Sequence, residues 1–118
     1  MPRFLDAPSR IPVPGGKLID EYVGRVATGT EAVSVARMTA PPGWSEPAQT
    51  PEFDEITLVL AGEVVVEHDG GSTSVRAGEA ILTSAGERVR YLVGSEGASY
   101  VAICHPAFGP DLVRREDS

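Results

Sequence analysis

Short runs of apolar residues, many of them alternating with polar ones, dominate this chain. The clearest are AVSVARM (32–38), ITLVLAGEVVVEH (56–68), AILTSA (80–85), RVRYLV (88–93) and SYVAICH (99–105). Glycine-rich turn signals separate them at intervals of about 8–12 residues, which is typical of the strands of a sandwich or barrel. No long stretch carries a 3.6-residue apolar period, so little helix is expected. The pattern predicts an all-β fold.

One turn in this series has a clear physical basis. Asp69-Gly70-Gly71 separates EVVVEHD from STSVRAG. Two-residue hairpin turns need positive φ angles, which Asp-Gly and Gly-Gly supply at low steric cost. The two flanking segments are therefore predicted to pair as a β-hairpin.

Length and composition indicate a single domain, 1–118, with an irregular Pro/Gly-rich arm at 1–16 and a polar tail at 109–118 that frays at its end. The net charge is −7, from 17 acidic and 10 basic residues. Nucleic acids and anionic membranes both attract basic surfaces, so neither partner is expected. One cysteine excludes an internal disulfide, and no segment has the apolar length of a signal peptide or membrane helix. We expect a soluble, cytoplasmic protein.

Glycines and one glutamate recur at fixed spacing in the middle of the chain. The first set is Gly43, Gln49, Pro51, Glu55 and Gly62, and the second is Gly78, Ser84, Gly86, Val89 and Val93. This spacing resembles the two sequence motifs of the cupin superfamily of small jelly-roll proteins. The first family motif places His-x-His, Glu and Gly after its opening glycine, and the second places Pro-x-Gly, His and Asn. The resemblance implies a double-stranded β-helix, the jelly-roll cupin barrel.

The same resemblance implies a metal site, but the sequence departs from it. Typical cupins bind iron, manganese, zinc, nickel or copper through three histidines and one glutamate. Here Gln49, Pro51 and Val89 occupy the histidine positions, and only Glu55 is kept. The chain has two histidines in total, so three cannot meet within it. No metal cofactor is expected; if one binds, Gln49 and Glu55 are the candidate ligands.

Glu55 is the leading catalytic candidate. If it points into the barrel, as the resemblance implies, strand alternation places Thr57 inside with it, and Val89 and Tyr91 face inward from the second motif. A carboxylate among apolar groups is costly to ionise, so its pKa should be raised into the range of a general acid or base. The alternative is a buried acid neutralised by Arg37 or a tyrosine hydroxyl.

Other side chains could also face a ligand. The catalytic candidates beside Glu55 are Tyr91 and His105, and the ligand-binding candidates are Gln49, Arg37, Thr57, Val89, Tyr100 and Trp44. Trp44, next to Gly43, is expected either to cover the barrel mouth or to pack on a partner subunit. The alternatives are core packing for the tyrosines and a surface position for His105. Cys104 is expected to be a buried, inert thiol. Alternation leaves open which face of 99–105 is the inner one.

The tail carries a second resemblance. PAF followed by an acidic segment, after RVRYLV, is similar to small cupins that act as acid–base catalysts without metal. One such type is a dehydratase acting on a nucleoside aldehyde. Those proteins use a histidine and a glutamate that face each other across the cavity. Glu55 with His105, or with Asp111, is the corresponding candidate pair.

Three functional hypotheses result. The first is a metal-independent lyase, isomerase or dehydratase that uses Glu55 on a small organic molecule. The second is a barrel that binds a small molecule without chemistry. The third is a metal-dependent oxidoreductase with an oxygen-rich site at Gln49 and Glu55, to which Glu46 and Glu52 could add. Related small cupins often pair by sheet extension, so a homodimer using the N-terminal arm is expected.

Overall fold

The computed structural model describes residues 1–117, and all regular structure in that range is β-strand, as the sequence pattern predicts. The strands are β1 Ser9–Ile11, β2 Leu18–Val23, β3 Ser34–Ala40, β4 Asp54–His68, β5 Gly71–Arg76, β6 Ala80–Thr83 and β7 Arg90–His105. All pairs are antiparallel in the order β1-β2-β3-β7-β4-β5, and β6 pairs with β4. Within residues 1–117, no helix has the length and apolar character needed to cross a membrane.

Strands β4 and β7 each contribute to two layers. Residues 54–59 pair with 100–105, whereas residues 64–67 pair with 90–93. The register shifts between these two blocks, so β-bulges bend both strands from one layer into the other. One layer holds β1, β2, β3 and β6, and the other holds β5. This arrangement is the jelly-roll barrel that the motif spacing implies.

Two glycines allow the strands to bend where the layers meet. Gly62 has a φ of 78°, and a β-carbon there would lie 2.1 Å from the carbonyl oxygen of Gly97. Gly97 has a φ of 74°, and its β-carbon would lie 2.7 Å from the carbonyl oxygen of Ala40. Neither position has room for a larger residue, which explains physically why the first motif ends in glycine.

The structure confirms the predicted hairpin and corrects several strand boundaries. Residues 63–68 pair with 71–76, with His68 opposite Gly71. The predicted strands at 88–93 and 99–105 are parts of one strand, β7, because the glycine-rich segment between them bends without breaking the sheet. The sequence pattern did not predict β2, because its sequence LIDEYV has charged residues between its apolar ones. The arm at 1–16 contains β1, which forms the edge of its layer; pairing of two chains there stays a prediction.

The tail is held more firmly than its composition suggests. The Glu52 amide donates to the Leu112 carbonyl at 2.8 Å, and the Glu116 amide donates to the Ala48 carbonyl at 2.8 Å. Val113 is buried against Phe53 and Cys104. These contacts hold the tail as far as Glu116, whereas the fraying of its last residues stays a prediction, and Ser118 lies outside the described residues. The tail instead packs along residues 48–52 and brings polar side chains to the barrel interior.

Candidate active site in the barrel cavity

A cavity of about 70 Å³ lies inside the barrel. Its walls come from β1, β2, β3, β4, β7, the loop before β4 and the tail, and it touches both apolar clusters of the core. The volume corresponds to roughly five water-sized groups, so the enclosed part suits a small molecule. An outer depression of about 260 Å³ shares Lys17, Glu46 and Arg115 with this cavity and is bordered by Trp44. We call this outer depression the mouth.

Glu55 is buried at the cavity wall near the start of β4. Burial raises the pKa of its carboxyl from the ordinary 4.5 to about 7, and nearby Glu46 acts in the same direction. Lys17, Arg115 and the hydrogen bond from the Thr57 hydroxyl, 3.5 Å from Glu55 Oε2, oppose this rise in pKa. Both protonation states of Glu55 are therefore populated near neutral pH, as a general acid or base requires.

Two tyrosines and a thiol supply neutral groups to the same cavity. Burial is the main cause that raises the pKa of Tyr91, of Tyr100 and of Cys104, and Glu55 adds to each rise. All three keep their protons at neutral pH. The Tyr91 hydroxyl lies 3.3 Å from the Thr83 hydroxyl, which helps to fix its orientation. The tyrosines can therefore donate hydrogen bonds to a ligand oxygen, while Cys104 is not a thiolate nucleophile.

Charged side chains gather between the cavity and the mouth. Arg115 Nη2 lies 3.2 Å from Glu46 Oε2, and the same nitrogen donates to Gln49 Oε1 at 3.4 Å. The Glu46 side chain is 9% exposed and that of Arg115 37%. Burial raises the pKa of Glu46, opposed by Lys17 and Arg115. Lys17 Nζ lies 4.3 Å from the centroid of the Trp44 ring, and burial lowers the pKa of its amino group.

The structure brings most of the predicted site residues together. The cavity wall includes Glu55, Tyr91, Gln49 and Tyr100. Thr57 is fully buried beside Glu55, and Trp44 borders the mouth as expected. Val89 is buried in the larger apolar cluster, and neither Val89 nor Thr57 lines the cavity.

Three predicted candidates, His105, Arg37 and Asp111, lie away from the cavity, and this is a correction. The inner face of β7 carries Tyr100 and Cys104, so alternation turns His105 outward, where its Nδ1 lies 3.0 Å from the Ala32 carbonyl oxygen. Arg37 is exposed on the outer face of β3, and its Nε donates to the Ser99 hydroxyl at 3.3 Å. Asp111 is likewise exposed. Neither His105 nor Asp111 lines the cavity, so the predicted pairs with Glu55 do not form.

Four charged residues of the cavity wall, Lys17, Glu21, Glu46 and Arg115, were missed as site residues or given a minor place. Lys17 immediately precedes β2, the strand that the pattern did not reveal, and Arg115 belongs to the tail expected to fray. The sequence indicated Glu46 only as a possible metal ligand. One signal was present in the sequence: Lys17 is the single lysine among ten basic residues.

The residues present do not fit the metal centre of typical cupins. Pro51 and Val89 offer no donor atom, and the Gln49 oxygen already accepts from Arg115. Glu55 would be the single charged ligand, and the cation Lys17 faces the same cavity. Within residues 1–117, no three histidine, cysteine, aspartate or glutamate side chains come together as a metal-binding group. A transition metal usually needs three or four good ligands, which this donor set does not supply.

Comparison with known proteins shows the family. The sequence model of the Cupin domain family matches residues 36–104, and the chain belongs to this family. The nucleoside dehydratase Pac13 of Streptomyces superposes with a TM-score of 0.73 at 16% identity, over 99% of this chain and 93% of that one. Oxalate decarboxylase of Bacillus subtilis superposes with a TM-score of 0.76 at 15% identity, over 94% of this chain and 31% of that one. At these identities the likeness concerns the fold alone.

A curated relative is more similar in sequence. The protein of Myxococcus xanthus (strain DK1622) named endoribonuclease YbeY is 50% identical over 107 residues. The match covers 90% of this chain but 36% of that protein. The chain thus spans about a third of the length of this relative, whose name describes the whole protein.

Proposed function

We propose that this cupin domain binds a small organic molecule in the barrel cavity and catalyses a metal-independent proton transfer on it, as a lyase, isomerase or dehydratase. The observation that carries the proposal is Glu55, a buried carboxyl group at the cavity wall whose pKa is raised to about 7. A group with this pKa can accept a proton in one step and return it in the next at neutral pH.

The cavity supports a reaction at a carbon next to a carbonyl group. The Glu55 carboxylate would remove the proton from that carbon, and negative charge would develop on the carbonyl oxygen. The hydroxyl groups of Tyr91 and Tyr100 stay protonated and can donate to this oxygen. Glu55, now neutral, would return the proton to a neighbouring carbon in an isomerisation, or to a departing hydroxyl group in a dehydration.

The mouth supplies groups that would position the substrate. Arg115 is held by Glu46 and Gln49, so its guanidinium has a defined place at the cavity rim. Trp44 and Lys17 border the path from solvent. The fold-level likeness to Pac13, described as a nucleoside dehydratase, is an analogy that supports this reaction class without identifying the substrate.

The test is proton exchange with solvent. Small carbonyl compounds would be incubated with the protein in deuterium oxide, and loss of the proton next to the carbonyl followed by NMR. Glu55→Gln keeps the shape of the side chain and removes the base, so exchange should fall by a factor of about 10² or more. Glu96→Gln, on the exposed bend of β7, is the matched control and should exchange like the unmodified protein.

The same experiment separates the competing functions. If exchange persists in Glu55→Gln, the assignment of Glu55 is wrong. If compounds raise the melting temperature of the protein but show no exchange and no turnover, the domain is a binding module without chemistry. A ligand at 100 times its dissociation constant stabilises a protein by about 2.7 kcal/mol, which a thermal-shift measurement detects.

A further inference from the structure

Lys17 is chemically distinct among the cations of this protein. The other nine basic residues are arginines, and the single lysine lines both the cavity and the mouth. Arginine stays protonated in proteins, whereas the amino group of lysine can lose its proton and act as a nucleophile. The only ammonium side chain of the chain is therefore placed where a ligand would enter.

Aromatic rings, rather than a carboxylate, hold this amino group. Lys17 Nζ lies 4.3 Å from the centroid of the Trp44 ring and 5.6 Å from that of Tyr100. Among residues 1–117, no carboxylate oxygen comes within 4.0 Å of Lys17 Nζ. The nitrogen is thus fixed in place without being committed to an ion pair. Burial lowers its pKa, which enlarges the fraction of free amine near neutral pH.

The charge of the cavity argues for a neutral ligand. Two cations, Lys17 and Arg115, share the wall with the carboxyl groups of Glu21, Glu46 and Glu55. Arg115 is already paired with Glu46. The wall therefore has no excess of positive charge that would favour an anion. An uncharged electrophile fits better, and an aldehyde or ketone is the electrophile with which a lysine amine reacts.

Building on the proposed function, we propose that the substrate is a small aldehyde or ketone and that Lys17 binds its carbonyl carbon covalently as an imine. The Lys17 ammonium first gives one proton to the Glu55 carboxylate by way of water in the cavity, because the two groups share the wall without direct contact. The amine then attacks the carbonyl carbon, forming a C–N bond, and one further nitrogen proton moves to the oxygen. Glu55 returns its proton to the resulting hydroxyl group, which leaves as water. The products are a protonated imine and one water molecule.

The imine would make the proposed proton transfer easier. A protonated imine withdraws electrons more strongly than a carbonyl group, so the hydrogen on the adjacent carbon becomes more acidic. Glu55, regenerated as a carboxylate, lies on the same cavity wall and can remove that proton. Hydrolysis of the imine would then release the product and restore Lys17.

Reductive trapping tests this directly, because the chain has one lysine. Propanal and dihydroxyacetone would each be incubated with the full chain and sodium cyanoborohydride at pH 7, and the modified residue located by peptide mass spectrometry. Lys17 should be alkylated faster, relative to the Met1 amine, in the folded protein than in urea, because burial lowers the pKa of its amino group and the cavity holds the carbonyl compound beside it. The exposed Met1 amine serves as an internal reference in both conditions.

A variant without lysine is the control for this experiment. Lys17→Arg keeps the positive charge and should show alkylation at Met1 alone. If Lys17 of the unmodified protein reacts no faster when folded than in urea, or if only Met1 is modified, the imine is ruled out. Deuterium exchange that depends on Glu55 without trapping at Lys17 would overturn the imine alone. Trapping at Lys17 with exchange unchanged in Glu55→Gln would overturn the proposed role of Glu55 alone.

Discussion

Arg115 Nη2 lies 3.2 Å from Glu46 Oε2, and this ion pair joins the C-terminal tail to the loop that precedes β4. Its position matters because both charges act on Glu55: Glu46 raises the pKa of Glu55, and Arg115 lowers it. The tail is thus an electrostatic part of the candidate site as well as a cover for the barrel end.

Replacing Arg115 should change the site more than it changes stability. In Arg115→Met the pKa of Glu46 and of Glu55 should both rise, because a cation that lowers both is removed. The ion pair is partly exposed, so the free energy of unfolding should fall by no more than about 1 kcal/mol. NMR titration and urea unfolding measure the two effects.

Arg114→Met is the matched control for this change. Arg114 is adjacent and also paired, with Glu52, but its side chain is 63% exposed. It should leave the pKa of Glu55 unchanged. Equal effects of the two substitutions on Glu55 would mean that Arg115 has no special influence on the site.

Stability should depend on pH through Glu55. Its pKa is higher in the folded protein, about 7, than the ordinary 4.5, so the folded state binds more protons between these values. The stabilisation by its protonated form is complete below about pH 4.5 and is lost as the pH rises through about 7. Each pKa unit corresponds to about 1.4 kcal/mol, so the loss is on the order of 3 kcal/mol.

Urea unfolding at a series of pH values, compared between the unmodified protein and Glu55→Gln, measures this contribution. Glu46 also has a raised pKa and adds a slope of the same sign to both proteins. The difference between their free energies of unfolding therefore isolates Glu55. The unmodified protein should lose stability relative to Glu55→Gln from pH 5 to pH 8. A difference that does not vary with pH would show that Glu55 titrates as an ordinary glutamate.

Gly62→Ala tests the close contact between the two long strands. A β-carbon at Gly62 would lie 2.1 Å from the Gly97 carbonyl oxygen, so the strands must separate or the domain fails to fold. We expect a loss of more than about 3 kcal/mol in the free energy of unfolding. Gly29→Ala is the control, since Gly29 has a similar φ of 71° with nothing within 4 Å. It should cost about 1 kcal/mol, and equal losses would argue against the steric account.

The sequence predicted the fold because its glycines and alternating strands are local features. The Asp69-Gly70 turn fixes a hairpin register, and the glycine at 62 marks the bend between layers. The resemblance to cupins put Glu55 inside, and strand parity then placed Thr57 and Tyr91 inside correctly, because alternation is a property of the backbone.

The charged side chains between the cavity and the mouth could not be predicted in the same way. Lys17 and Arg115 are 98 positions apart in the chain and meet near Glu46 only through long-range packing. His105 failed as a candidate because one step along β7 separates the inner face from the outer. The predicted pattern could not tell which face of that strand was the inner one.

The most direct test of the account is the pKa of Glu55 itself. Carbon-13 NMR of the glutamate carboxyl groups, with the Glu55 signal assigned by its absence in Glu55→Gln, gives this value without a known substrate. Glu55 should titrate with a midpoint near 7. A midpoint near 4.5 would show that Glu55 is ionised throughout the neutral range, and its role as a general acid and base at neutral pH would be contradicted.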